Sequence, residues 1–293
     1  MKKVGIDDIS HFDFLDHPDR GSINQALTTL TALGALDADG QITEIGEWLV
    51  EFAIEPPLGR MLIESLRPDI DCPNEISVIG SFLNGKNVFV RPPEKELELA
   101  ADRAHDQFIK NGDSDFSVLL HVWNAYVDSG YSTDWAKENY LNEKVLEEAK
   151  NVRLDILDVL AGHGIHVDPD EKPKFKKDAI NRSLTAGLIG NLMKKVDRFG
   201  YSKVDGTKKE ISIHPSSVFY HNPPQAGSFI VAGEIFINPE GKTYACNCLE
   251  VKKEWLKEYA PDVFYNYTLK HKDRHHQSAN SSRKSYRKSR HNR

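Results

Sequence analysis

Leu184-Thr185-Ala186-Gly187-Leu188-Ile189 opens a stretch, residues 184–264, whose reading decides the fold. A basic patch follows, then Ile213-His214-Pro215-Ser216-Ser217 and two short apolar runs, Phe229-Ile230-Val231 and Thr243-Tyr244-Ala245-Cys246. Glu254-Trp255-Leu256-Lys257-Glu258-Tyr259-Ala260-Pro261 closes it. The pattern predicts a helix start, several short strands and a closing helical turn. Turn dipeptides such as Asp205-Gly206 and Pro223-Pro224 split the strands. That order fits a small, partly open β-barrel of the OB type, a fold that commonly binds single-stranded nucleic acid.

Charge around this stretch is segregated. The 293 residues carry a net −6, but 266–293 hold nine Lys/Arg against one Asp, which leaves −14 for the rest. Residues 94–171 carry 18 acids against 7 bases, and 174–209 carry 10 bases against 3 acids. An acidic region abuts a basic one, so the local balance admits a polyanionic partner that the total would not. With 39% hydrophobic and 28% charged residues, the composition is that of globular domains with real cores. No apolar run approaches the roughly 20 residues of a membrane helix, and Met1-Lys2-Lys3-Val4-Gly5-Ile6-Asp7-Asp8 has no signal-like apolar segment. Three cysteines, Cys72, Cys246 and Cys248, are too few for a disulfide framework or a four-thiolate zinc site. Strand alternation predicts that Cys246 and Cys248 share one face.

Upstream, residues 10–66 read as a small helical domain with a hairpin. Ser22-Ile23-Asn24-Gln25 has the form of a capping box, and Ile23, Ala26, Leu27, Leu30 and Leu33 then form one apolar face. Leu36 to Ile42 predicts two tiny strands about Asp39-Gly40, and Thr43 is placed to cap a second helix. Helix, hairpin and helix make a winged helix, yet 22–33 contains no Lys or Arg, so it is a structural platform and a poor DNA reader. Residues 67–165 read as wholly helical. Ile76, Ile79 and Phe82 mark one face, Phe116 to Tyr126 another, and Leu141, Val145, Ala149, Val152, Ile156 and Val159 a long amphipathic helix. Gly162 to Pro173 reads as a loop, and Lys270 to Arg293 as a disordered basic tail.

No catalytic constellation emerges. Gly241-Lys242-Thr243 imitates the end of a phosphate loop, but position 236 is Phe where a Gly is needed. Pro239-Glu240-Gly241-Lys242 reads instead as a hairpin turn. No Asp-Glu-Ala-His box occurs, and His214 beside Ser216 and Ser217 lacks the strained elbow of a hydrolase. Those three residues order a loop or touch a single-stranded nucleic acid. Lys194, Lys195, Arg198, Lys203, Lys208 and Lys209 with Tyr201 interleaved are the best set for contacting a single-stranded nucleic acid: cations meet phosphates and exposed rings stack on bases. Lys242 and Tyr244 complete it.

The motifs resemble the C-terminal region of DEAH-box ATP-dependent RNA helicases over residues 12–265. Asp13-Phe14-Leu15-Asp16, Leu33-Gly34-Ala35-Leu36, Ile42-Thr43-Glu44-Ile45-Gly46 and Met61-Leu62-Ile63-Glu64-Ser65 match its winged helix. Leu119-Leu120-His121-Val122-Trp123-Asn124-Ala125-Tyr126 and Asn139-Tyr140-Leu141-Asn142 match its helical ratchet domain. Ala186-Gly187-Leu188, Ile213 to Ser217, and Glu254-Trp255-Leu256 with Ala260-Pro261 match its OB-fold. Cys246 stands where the family pattern usually has Arg. The resemblance implies an α+β multidomain chain: winged helix 1–66, ratchet bundle 67–168, OB-type barrel 169–265 and disordered basic tail 266–293.

The implied role is a helicase-associated RNA-binding module that guides single-stranded RNA and regulates a DEAH-type ATPase motor in cis or in trans. Two alternatives stand beside it: a truncated piece of a complete RNA helicase, and a scaffold that docks a helicase partner through the OB surface. No cofactor is expected in this chain, with ATP and Mg entering only through motor domains whose motifs the sequence lacks. An activator protein on the OB surface, no membrane partner, and an intracellular setting, cytoplasmic or nuclear, complete the expectation.

Overall fold

The computed structural model describes residues 1–83, 86–110, 112–197, 200–204 and 209–266. The predicted disordered tail therefore lies, from residue 267 on, outside the described residues, as do Arg198, Lys208 and the Asp205-Gly206 turn. The first helix, α1 (Arg20–Ala32), starts earlier than the capping-box reading places it. Asp19 is its cap, accepting from the Ser22 backbone N–H at 3.0 Å, and the Ser22 hydroxyl donates to the same carboxylate. An ionised cap outcompetes a hydroxyl for the free donors of a helix start. The hairpin is reduced to one antiparallel bridge, Leu36 to Ile42. Thr43 caps α2 (Glu44–Phe52) as its side chain predicts, and Pro56-Pro57 open α3 (Pro56–Ser65), where missing N–H groups cost nothing.

The middle of the chain is helical apart from one bridge, Phe89 to Leu141. α4 (Pro73–Ser81) is buried from Asn74 to Ser81, so α5 (Lys95–Ile109), α6 (Asp115–Asp128), α7 (Thr133–Glu138) and α8 (Glu143–Gly162) form a bundle with α4 inside it. The buried stripe of α8 includes Arg153, whose guanidinium donates to Asn74 Oδ1 at 2.9 Å and to the Pro169 carbonyl at 2.7 Å. That polar strap ties the connecting loop to the bundle.

Leu184 to Leu188 is the end of a helix and not its start: α9 runs Lys177–Leu188. Its last turns press on α3, and the reason for Ala186-Gly187-Leu188 is steric. A Cβ at Gly187 would sit 2.3 Å from Met61 Cγ and 2.4 Å from the Pro57 carbonyl oxygen. Only glycine lets the two backbones approach this closely.

Five strands follow, β1 (Leu192–Lys195), β2 (Gly200–Lys203), β3 (Ile211–Ile213), β4 (Phe229–Ile237) and β5 (Thr243–Val251), with a one-turn helix α10 (Val218–His221) between β3 and β4. Their order β1-β2-β3-β5-β4 closes into a barrel because β1 pairs with both β2 and β4, so the partly open barrel of the sequence reading is corrected to a closed one. β3 and β5 pair in parallel. Met193, Tyr201, Ile230, Ala232, Ala245 and Cys248 fill the interior.

β4 and β5 change their inward face midway. Ile235 pairs with Ala245 and Ala232 with Cys248, and all four pack in the core. An odd step separates the pairs, so alternation must break between them. It breaks at Asn247, φ +52°, opposite Gly233, where a Cβ would lie 2.9 Å from that of Asn247. Cys248 therefore points in and Cys246 out, against the expected shared face. Lys252 onward is a second unit with its own short helix, α11 (Lys253–Tyr259), in which Lys252 Nζ lies 5.3 Å from the Trp255 ring centre. Among the described residues no helix is long and apolar enough to cross a membrane.

Candidate nucleic-acid interface

The outward face of the β4–β5 hairpin carries an aromatic ridge. Phe236 and Tyr244 are cross-strand partners whose rings lie 6.0 Å apart at 31°. The chain leaving β3 adds His214, 5.6 Å from each ring, held there because its backbone N–H donates to the Ala245 carbonyl at 2.9 Å. Ser216 fixes the imidazole: its backbone N–H donates to Nδ1 at 3.3 Å, which leaves Nε2 as the protonated nitrogen. Burial and the Arg91 charge hold the imidazole below its ordinary range, so it is neutral near pH 7. At the hairpin turn, Lys242 Nζ sits 5.1 Å from the Tyr244 ring centre. The turn is the hairpin expected of Pro239 to Lys242: Asn238 N–H donates to the Lys242 carbonyl at 2.9 Å.

Beside the ridge runs a cleft of about 330 Å³ between barrel and bundle. His214, Phe236, Cys246 and Glu234 line one side, and Phe82, Phe89 and Lys86 the other. Its charges are mixed: Lys86 is paired with Glu148 at 2.8 Å, and Glu234 is exposed on the opposite wall. Such a cleft suits the rings and sugars of an unpaired strand better than its phosphates.

One residue that sequence reasoning missed builds this cleft. Asp115, in the first turn of α6, turns its carboxylate onto the barrel. It accepts from Ser217 Oγ at 3.0 Å, from Val218 N–H at 2.8 Å and from Cys248 N–H at 2.7 Å. Burial pushes its carboxyl above the ordinary range, against the pull of these three donors. A single carboxylate thereby fixes the start of α10 and the middle of β5 to the ratchet bundle. Nothing in the sequence separates it from the other acids of the region.

The predicted site residues do not form one surface. Tyr201 is 1% exposed and faces the barrel core, so it is no free stacking ring; the reading of it as one is corrected by strand alternation, which gives it the inward register with Ile211 across the pair. Lys195 is the inward cross-strand partner of Tyr201, and its amine donates to the Pro224 carbonyl at 2.5 Å, so it is corrected from phosphate contact to barrel-end strut. Lys194 is half-buried with Nζ 5.7 Å from the Phe229 ring centre, and Lys203 donates to the Gly190 carbonyl at 3.3 Å. Lys209 is exposed, and Arg198 and Lys208 lie outside the described residues. Ser217 is buried as the cap of α10, which leaves Ser216 as the exposed hydroxyl of its loop. The structure brings together His214, Ser216, Lys242 and Tyr244, and adds Phe236. Strict alternation of β4 puts Phe236 on the inward face with Ile230 and Ala232, and only the break at Gly233 and Asn247 turns it out, so no signal in the sequence finds it.

Three parts of the chain match known family models. Residues 26–54 match the helicase associated domain, winged-helix. Residues 55–119 match the helicase associated domain, ratchet-like, and 180–263 match the oligonucleotide/oligosaccharide-binding (OB)-fold. The three matches follow the order read from the motifs. The chain therefore carries the winged-helix, ratchet-like and OB-fold domains that make up the C-terminal module typical of DEAH-box helicases.

Proposed function

We propose that this module binds single-stranded RNA, guides it along the barrel and regulates a DEAH-type ATPase motor in cis or in trans. The observation that carries the reading is the His214–Phe236–Tyr244 ridge, with Lys242 at its end and a cleft beside it. Rings outside a barrel core are costly to leave in water, and unpaired bases are the partner whose flat faces they fit, at about 1–3 kcal/mol each. Lys242 and Lys209 supply cations for the backbone. The Asp115 latch gives regulation a physical route: a shift of bundle against barrel on motor binding would reshape the cleft. ATP and Mg enter through the motor, not through this chain.

The test is anisotropy of a labelled single-stranded RNA titrated with the full chain across salt. Affinity should fall with salt, and Lys209→Ala with Lys242→Ala should flatten the slope of log affinity against log salt by about 0.7 for each phosphate left without its cation. Phe236→Ala should weaken binding with little change in slope. Absence of RNA binding at low salt would overturn the reading and favour the protein-docking scaffold.

A further inference from the structure

The barrel closes through only the first part of β4. β1 pairs with it from Phe229 to Val231, and just beyond, Asn191 Nδ2 donates to the Ala232 carbonyl at 3.1 Å. Past the break at Gly233, β4 keeps β5 as its neighbour as far as the Ile237–Thr243 pair. Among the described residues no strand lies along the other side of this outer part. We propose that this bare edge, residues 234–237, takes an extended segment of a partner protein as an added strand, one in which basic and apolar side chains alternate. Such pairing goes beyond RNA binding and does not depend on it.

The hairpin turn sets the direction of the free groups. Asn238 N–H donates to the Lys242 carbonyl at 2.9 Å, so Asn238 faces β5. In an antiparallel ladder every second residue bonds its neighbour, which turns Phe236 and Glu234 toward β5 and Ile235 and Ile237 away from it. Two N–H groups and two carbonyls therefore stand in a row with no backbone partner among the described residues. Natural sheets blunt such an edge with proline, lysine or a covering loop. Here proline comes only at Pro239, past the last free pair, and Ile237 is 58% exposed.

Three features say what covers it. The free donors and acceptors repeat at the strand spacing of about 3.4 Å per residue, which another strand matches and a sugar-phosphate chain does not. The local charge is negative. Glu234 is exposed on the edge and Glu240 on its turn, and among the described residues no cation pairs with either. Glu234 accepts from the Cys246 thiol at 3.8 Å. A carboxylate so placed repels phosphate and attracts a lysine or arginine of the guest. Alternation supplies the rest: Ile235 packs on the core and Ile237 follows it on the same face, while Glu234 and Phe236 line the cleft. A guest strand thus lays apolar side chains beside Ile237 and basic ones beside Glu234.

The experiment titrates the full chain with short labelled peptides of alternating lysine and valine, read by anisotropy and by amide hydrogen exchange. In the free chain at low concentration, the Ile235 and Ile237 amides should exchange at least about ten-fold faster than those of Glu234 and Phe236, and the lysine–valine peptide should protect them. A glutamate–valine peptide should bind about ten-fold more weakly, and Glu234→Lys should narrow that gap about three-fold or more. Methylating the peptide nitrogens at the valines, or at the lysines, blocks one of its two edges. One of these peptides should bind about ten-fold more weakly and the other like its parent. Ile237→Pro removes a free N–H and leaves the β5 ladder, so it should weaken the peptide about five-fold in a chain that still melts cooperatively. The proposal falls if Ile235 and Ile237 are already protected in the dilute free chain, if both methylated peptides bind alike, or if peptide charge makes no difference. Protection that rises with chain concentration, together with a dimer in sedimentation, assigns the edge to a second copy and also overturns it. A chain that takes the peptide but binds no RNA keeps the edge and loses the RNA reading.

Discussion

The barrel meets the rest of the chain at two junctions of opposite character. Where α9 crosses α3, the contact is made of shape: Gly187 removes a side chain so that Met61 and the Pro57 carbonyl can close in. Where α6 meets β5 and α10, the contact is made of charge: one carboxylate collects three donors from two elements. Close packing has a single geometry and resists any change in volume. A hydrogen-bonded carboxylate can be released by competing donors. The α3–α9 packing is thus fixed, while α6 is fastened to the barrel by a group that can let go. The cleft lies on the second side.

The strongest way to break the first junction is Gly187→Ala. Its new methyl would face backbone at Pro57, which cannot rotate away, so the helices must separate where they cross. Overpacking of this kind costs typically 1–3 kcal/mol, and backbone on one side places this case near the top, about 3 kcal/mol. Urea unfolding monitored by far-UV dichroism would measure it. A cost under about 1 kcal/mol would show that α3 and α9 can part without consequence.

Asp115→Ala should come next, at about 2 kcal/mol, because it leaves two backbone N–H groups and the Ser217 hydroxyl without their acceptor. Asp115→Asn retains one acceptor oxygen and should cost less. The distinguishing readout is local. Limited proteolysis of Asp115→Ala should cut first near α10 and the start of α6, whereas Gly187→Ala should expose the α9 end. Identical cleavage patterns would dissolve the contrast between the junctions.

Much of this is legible in the sequence, and the gaps have physical causes. Caps and turns that act through their own backbone are readable: Thr43 on α2, and the Pro239 to Lys242 hairpin. The Ala-Gly-Leu motif reads as a family signature, but its reason needs Pro57 and Met61, which lie in a distant part of the chain. Asp115 is invisible for the same cause. Two of its three partners are remote backbone N–H groups that any residue could supply. The Tyr201 error has another source: a ring among lysines looks exposed until strand register gives it an inward face with Ile211. Strict alternation misplaces the two thiols of β5, because a positive φ at Asn247 reverses it between them.

The smallest effect, a pH dependence, separates the junctions without changing their shape. His105 on α5 is 2% exposed, bonds the Tyr140 carbonyl through Nε2 at 3.0 Å, and packs 4.6 Å from Phe89, a wall of the cleft. Burial holds its imidazole below the usual 6.5, against the Tyr140 bond and the nearby Asp102 and Asp106, and with some help from Arg91. A histidine lowered in the fold binds its proton more weakly there than in the unfolded chain. Its contribution is therefore complete above 6.5 and is lost as pH falls below that value toward the folded one. Asp115 has the opposite sign. Its carboxyl is raised above 3.8, so its contribution is complete below that value and declines as pH rises through the folded one.

Neither group belongs to the α3–α9 contact, where the glycine, the methionine and the proline carbonyl hold no titrating proton. Urea midpoints measured from about pH 5 to about pH 8 should therefore show wild-type stability falling on the acid side. His105→Gln keeps a donor for Tyr140 and removes the titration, so its curve should be flatter there. Gly187→Ala should shift the whole curve down without altering its slope. If His105→Gln and wild type run parallel, the buried imidazole does not couple to folding. The acid-side fall would then belong to other groups, since the raised Asp115 carboxyl acts in the opposite direction.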